Sequence, residues 1–190
     1  MATNPNRKPQ IDRAQIVEEA LRLLNETRLA GLTMRVLADR LGIRAASLYW
    51  HFPNKAALIS ALTEDLFLQS LDQTPSKPHW RDWMRAFGRA IWRVLLKYPD
   101  SAVLILAAEI DAEQFARTSA RIRQALAALD LPVEELMPLQ SGIQALMTGW
   151  VNFAHTRYVE RIEELIDIET AAFRTLDAMI DGWNPTRVAH

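Results

Sequence analysis

Between sparse glycines and prolines, the apolar residues of this chain recur three and four positions apart, the period of one helix face, rather than alternating as in a strand. An all-α fold is the expectation. The first helix should open at Asp12 as N-cap, with Gln15 three residues on, Ile11 and Ile16 as a hydrophobic staple, and Ile16, Val17, Ala20, Leu21, Leu23 and Leu24 as its buried stripe. A loop through Gly31 follows, and Thr33 then caps a short second helix that ends at Gly42, a residue free to enter the left-handed region. A third helix must fit between Ile43 and Phe52, because Pro53 disfavours helical geometry at the residue before it, and Asn54 caps a fourth over residues 55–71.

After a break at residues 74–78, Trp80, Trp83, Met84, Phe87, Ile91, Val94, Leu95 and Tyr98 mark the buried face of a fifth helix that Pro99 ends. A short apolar helix is expected over about residues 101–109, and another, capped by Asp111 with Gln114, runs to about residue 130. Two long helices close the chain near 133–158, with Pro138 in its first turns or at a kink, and near 166–183. Four units follow: a basic leader (1–10), a helix-turn-helix head (11–54), a connecting helix (55–73), and an effector-binding and dimerising body (74–190).

With 190 residues, 49% hydrophobic and 24% charged, the chain can bury a sizeable core, and disordered or fibrous classes are excluded. There is no cysteine, so disulfide frameworks, thiol nucleophiles and thiolate-ligated metals are excluded too. The longest apolar run, Ala102 to Ala108, falls far short of the ~20 residues a membrane span needs. A cytoplasmic protein without export signal or membrane anchor is expected. The net charge of −1 hides an asymmetry: residues 1–55 carry nine Lys and Arg against five Asp and Glu, whereas residues 56–190 carry thirteen against eighteen. A basic head on an acidic body suggests a polyanion partner at one end only.

Two short helices joined by a tight glycine turn form a helix-turn-helix, whose second helix enters the DNA major groove. That helix carries Ser47, Tyr49, Trp50 and His51, flanked by Arg44 and Lys55, with Leu48 turned inward. Their hydroxyl, indole and imidazole groups suit phosphates and base edges, and the small Ala45 and Ala46 allow close approach. Lys55 sits in the first turn of a helix, where the dipole disfavours a cation, and a nearby phosphate would offset that.

The run Leu32-Thr33-Met34-Arg35, then Leu37-Ala38-Asp39-Arg40-Leu41-Gly42, then Leu48-Tyr49-Trp50-His51-Phe52-Pro53-Asn54-Lys55 with Leu58, resembles the tetracycline-repressor (TetR) family over about residues 11–62. The resemblance implies a three-helix DNA-binding head on a helical, ligand-binding, dimerising body. It also implies that Arg35, Ala45, Ser47 and Tyr49 meet bases or the groove, and that Thr33, Trp50, His51 and Lys55 hold phosphates; Arg44 falls at a variable position. Arg7 and Lys8 are candidates for an arm reaching the minor groove.

In the body, Met84, Phe87, Trp92, Leu104, Phe115, Trp150 and Phe153 are candidate walls of a pocket for a small-molecule effector, and plain core packing is the competing reading of each. The family's tetracycline–magnesium site uses a mid-body histidine; between His51 and His155 this chain has only His79, which argues against a metal-chelate effector. The last two helices resemble the family's four-helix dimer interface, with Leu139, Gly142, Ile143, Leu146, Gly149, Ala172, Leu176 and Met179 as candidate contacts. Two heads of such a dimer would meet half-sites roughly 34–36 Å apart. Arg81, Arg85, Arg89, Arg93 and Lys97 form a basic stripe at four-residue steps: an anion or docking face, or a solvated face paired with the body's acids. No two-histidine helix motif, Glu-x-x-His pair or nucleophile elbow is present, so neither enzyme, cofactor nor metal is expected. The function expected is a ligand-responsive transcriptional regulator, a repressor released from double-stranded, palindromic operator DNA by a small molecule. The alternative is a helical interaction module without specific DNA binding.

Overall fold

The structure, a computed structural model, describes residues 11–77, 79–98, 100–156 and 159–185, with Glu163 by its backbone alone. The leader with Arg7 and Lys8, and also Pro99, Tyr158 and His190, lie outside the described residues. Among those described, all regular elements are helices: α1 (Arg13–Gly31), α2 (Met34–Leu41), α3 (Ala45–His51), α4 (Lys55–Asp72), α5 (Trp80–Lys97), α6 (Ser101–Ala107), α7 (Ala112–Leu126), α8 (Val133–Ala154), α9 (Val159–Glu163) and α10 (Ile168–Gly182). None is long and apolar enough to cross a membrane.

Short-range chemistry sets the helix starts. The Asp12 carboxylate accepts from Gln15 N–H at 2.8 Å while Asp12 N–H donates to Gln15 Oε1 at 3.0 Å, a reciprocal capping box. Thr33, Asn54, Asp111 and Asp167 cap α2, α4, α7 and α10 in the same i to i+3 manner. The Thr170 hydroxyl and backbone N–H bonded to Asp167 hold its carboxyl below the ordinary aspartate range. Gly42 ends α2 at φ 64°, and its N–H returns to Ala38 and Asp39 carbonyls, which fixes the tight turn into α3.

Two features depart from the sequence-based expectation. The first helix continues to Gly31 rather than giving way to a loop, but it breaks at Arg28, which takes φ 62° without being glycine. The break frees the Leu29 N–H from the helical ladder, and the Asp100 carboxylate, just ahead of α6, accepts it at 2.9 Å and pairs with Arg28 at 3.5 Å. Asp100→Ala would leave that part-buried N–H without its charged partner. We expect a loss of about 1–3 kcal/mol in urea denaturation, and an unchanged midpoint would contradict the role. The second departure is the single-turn α9, whose five residues carry no repeat long enough to read.

The body core is built on α5, which packs against α4, α8 and α10. Gly88 permits a close approach of three helices: a Cβ there would meet Leu176 Cδ2 at 2.6 Å and Ile143 Cγ2 at 3.2 Å. Much of the α5 basic stripe is engaged within the chain. Arg85 reaches Asp177 at 3.0 Å and also bonds Asp181, while Arg89 lies over the Phe173 ring at 4.3 Å, so the stripe clamps α5 to α10.

Candidate nucleic-acid interface and ligand cavity

Of the seven residues of α3, Leu48 alone is buried. Locked there with Leu37, Phe52 and the α1 stripe, it turns the remaining side chains outward. Thr33, Arg35, Arg44, Ala45, Ser47, Tyr49 and Trp50 are exposed, and His51 and Lys55 are half-buried. Trp50 is 77% exposed and Tyr49 47%. A tryptophan left so open is an apolar surface that another molecule would cover. Its ring meets His51 edge-on at 4.7 Å, so the two stand together at the end of α3. The Thr33 hydroxyl accepts from Val36 N–H at 3.2 Å, which leaves its proton for an outside acceptor.

The charges of the head are sorted by face. Arg22 pairs with Glu18 and Glu19, and Arg40 with Glu19 and Glu26. The Arg40 hydrogen bond holds the Glu26 carboxyl below its usual range, and Glu26 raises Arg40 in turn. By contrast, among the described residues no carboxylate lies within ion-pair distance of Arg35, Arg44 or Lys55. Lys55 Nζ donates to the Leu29 carbonyl at 3.3 Å, and Arg13 donates to the His51 carbonyl at 3.1 Å while lying over the Phe52 ring at 4.2 Å. These contacts tie α3 and the start of α4 to α1, while Arg35 and Arg44 stay exposed with no carboxylate partner among the described residues. Such a surface can pair with a row of phosphates and offer hydroxyl, indole and alkyl groups to what lies between them.

The body holds a cavity of about 280 Å³ between α4, α7 and α8, lined by residues that include Phe67, Gln114, Phe115, Gln140 and Gln144. Of the seven expected wall residues, Phe115 lines it, at 66% exposure. Met84, Phe87 and Leu104 are fully buried in the core, with Phe87 backing Phe67 at 6.2 Å between ring centroids. Trp92 packs edge-on against Phe173 at 5.9 Å, and Trp150, beside Phe153, donates to the Thr175 hydroxyl at 2.8 Å. Helical spacing marks a buried face but does not distinguish core from cavity wall. The signal that finds the wall is a polar residue on such a face: Gln114 and Gln140 are only 5% and 3% exposed. Among the described residues no cluster of three His, Cys, Asp or Glu is arranged to hold a metal ion.

Leu139, Ile143, Ala172 and Leu176 are fully buried within this chain, inside its own core. Gly142 faces the Met179 side chain of α10, and Leu146 and Met179 are half-buried, while Gly149 is exposed with open space above it.

Residues 16–62 match the family model described as bacterial regulatory proteins, tetR family. The class D tetracycline repressor of Escherichia coli is 34% identical over 116 residues, 60% of this chain and 53% of the repressor. The chain therefore spans about half the length of the curated relatives it matches. A TetR variant from Acinetobacter baumannii AYE, solved in complex with minocycline, superposes with a TM-score of 0.73 at 26% identity, covering 94% of this chain and 99% of the other. A class A TetR in complex with 5a,6-anhydrotetracycline and magnesium gives a TM-score of 0.68 at 27% identity, covering 91% and 98%. These relatives are regulators rather than enzymes. Residues 16–62 therefore match the head of the tetR family of bacterial regulatory proteins, and the chain shares the fold of solved TetR structures over nearly its whole length.

Proposed function

We propose that this protein is a cytoplasmic, ligand-responsive DNA-binding transcriptional regulator: a homodimeric repressor whose hold on a palindromic operator is released by a small molecule. The observation that carries the reading is the outward face of α3, with Tyr49 and Trp50 exposed beside the unpaired Arg35, Arg44 and Lys55. In this reading residues 11–54 form the DNA-binding head and 55–73 a connecting helix, with effector binding and dimerisation in 74–190. Arg35, Ala45, Ser47 and Tyr49 meet base edges or the groove wall, and Thr33, Trp50, His51 and Lys55 meet phosphates. Gly149 and the half-buried Leu146 and Met179 offer the surface of α8 and α10 to a second copy, while the buried residues behind them hold that surface rigid.

The heads and the cavity share α4: Lys55 opens it at the head, and Phe67 near its far end lines the cavity. A ligand that binds better when α4 is displaced would shift the heads away from the operator spacing, and by linkage operator DNA would weaken the ligand equally. The test is fluorescence anisotropy of the full chain against DNA from its own upstream region and against a scrambled duplex, across a salt series. Sequence-dependent binding supports the regulator. Equal affinity for both duplexes, with Lys55→Ala leaving the salt slope unaltered, would contradict it. Lys55→Ala should weaken all sequences alike and reduce the slope of log K against log salt by about one per subunit.

A further inference from the structure

We propose that the α4–α7–α8 cavity takes an uncharged, ring-bearing molecule with carbonyl or hydroxyl groups, oriented by Gln144 and bound without a metal ion. The inference deepens the regulator reading, on which it rests for the role of that molecule as effector.

The charge of the wall decides first. Among the described residues that line it, Glu64 alone is ionisable, and both its carboxylate oxygens accept from Arg117, from Nε and NH2 at 3.3 Å each. Arg117 also donates to Glu113 from NH1 at 2.8 Å, so the guanidinium bridges two carboxylates while both oxygens of Glu64 stay occupied. Among the described residues, no Lys, Arg or His lines the cavity to receive an anion. A cation would find a carboxylate already occupied, and bringing an unpaired charge into such a site is unfavourable. A metal chelate fits no better, because hard cations are held by several oxygen donors with free carboxylates among them, and no histidine is among the described residues of the wall.

The apolar part of the wall asks for a flat partner. Phe67 is fixed from behind by Phe87. Phe115 and Ile110 stand open at the wall, 66% and 54% exposed, so a ring laid against them would remove apolar surface from water.

The polar part then gives direction. Gln114 is committed, its Nε2 donating to the Ser60 carbonyl at 2.6 Å. Gln140 Nε2 donates to Gln144 Oε1 at 3.3 Å, which leaves the Gln144 NH2 without a protein acceptor among the described residues. Gln144 also lines a recess of about 20 Å³ beside the cavity, together with Thr148, whose buried hydroxyl has no hydrogen-bond partner among the described residues. A buried hydroxyl without a partner, next to a part-exposed amide NH2 that no protein group accepts from, is what a carbonyl or hydroxyl of a bound molecule would satisfy.

The test uses calorimetry on the full chain without DNA, with three probes of one ring size: neutral 2-naphthol, anionic 2-naphthoate and cationic 2-naphthylmethylammonium. Anhydrotetracycline is titrated with and without magnesium. 2-Naphthol is expected to bind at least about tenfold more tightly than either ion, with no effect of magnesium, and Gln144→Leu and Thr148→Val should each weaken it by about tenfold. Thermal unfolding of both variants checks that they remain folded, and Thr148→Val, isosteric with the original, carries the test if Gln144→Leu does not. The proposal is overturned if an ion binds as well as 2-naphthol, if 2-naphthol fails to bind within its solubility, if both variants bind it unchanged, or if anhydrotetracycline requires magnesium. If 2-naphthol binds in this way, the assignment of the cavity stands whatever DNA does, whereas equal affinity for operator and scrambled duplexes would overturn the regulator reading alone.

Discussion

Phe87→Ala is expected to lower the unfolding free energy by about 3–5 kcal/mol, measured by guanidinium denaturation. Phe87 is fully buried on α5, stacked on Trp83 at 5.1 Å with 13° between the ring planes, and it meets Phe67 edge-on. Truncation would open a void where α4 and α5 pack and would withdraw the support of a ring that lines the α4–α7–α8 cavity. A domain of this kind has only about 5–15 kcal/mol in total, so the melting temperature should fall by many degrees. Ligand affinity should fall with it, because Phe67 would be free to turn into the void. A destabilisation below about 1 kcal/mol would mean that the packing of α4 on α5 does not depend on this ring.

Tyr49→Ala is expected to weaken specific DNA binding by about 1–3 kcal/mol per contact, roughly 5- to 150-fold, while leaving nonspecific binding and the melting temperature nearly unchanged. The side chain is half exposed on α3, where Leu48 alone supplies the buried anchor, so the fold loses little with it. Anisotropy against specific and scrambled duplexes, alongside a thermal melt, separates the outcomes. A variant that melts early and loses both kinds of binding would show Tyr49 to be a packing residue. A variant with full specific affinity would remove it from the interface.

The helix starts were legible because capping is local: Asp12, Thr33, Asn54 and Asp111 each bond a backbone N–H three residues on, a relation visible in the sequence itself. Gly42 was legible for the same reason. The break at Arg28 was not, because it depends on Asp100, far along the chain, which accepts the N–H that the break frees. In the head, one buried residue on a short helix leaves the rest on the surface, so the outward face of α3 could be read without coordinates. In the body, the periodicity of Met84, Phe87, Leu139, Ile143 and Leu176 reports that a face is buried but not what buries it. These residues turned out to be packed inside the chain, whereas the cavity wall is marked by glutamines that the apolar pattern passes over.

The central claim is that paired α3 helices read a palindromic DNA sequence. It is tested most directly by selecting binders of the full chain from a pool of random duplexes and sequencing them. The claim predicts enrichment of one palindrome whose half-sites are centred one helical turn or a multiple of it apart, about 34–36 Å per turn. A pool that retains the protein through phosphate affinity alone, with no sequence enriched, would contradict it.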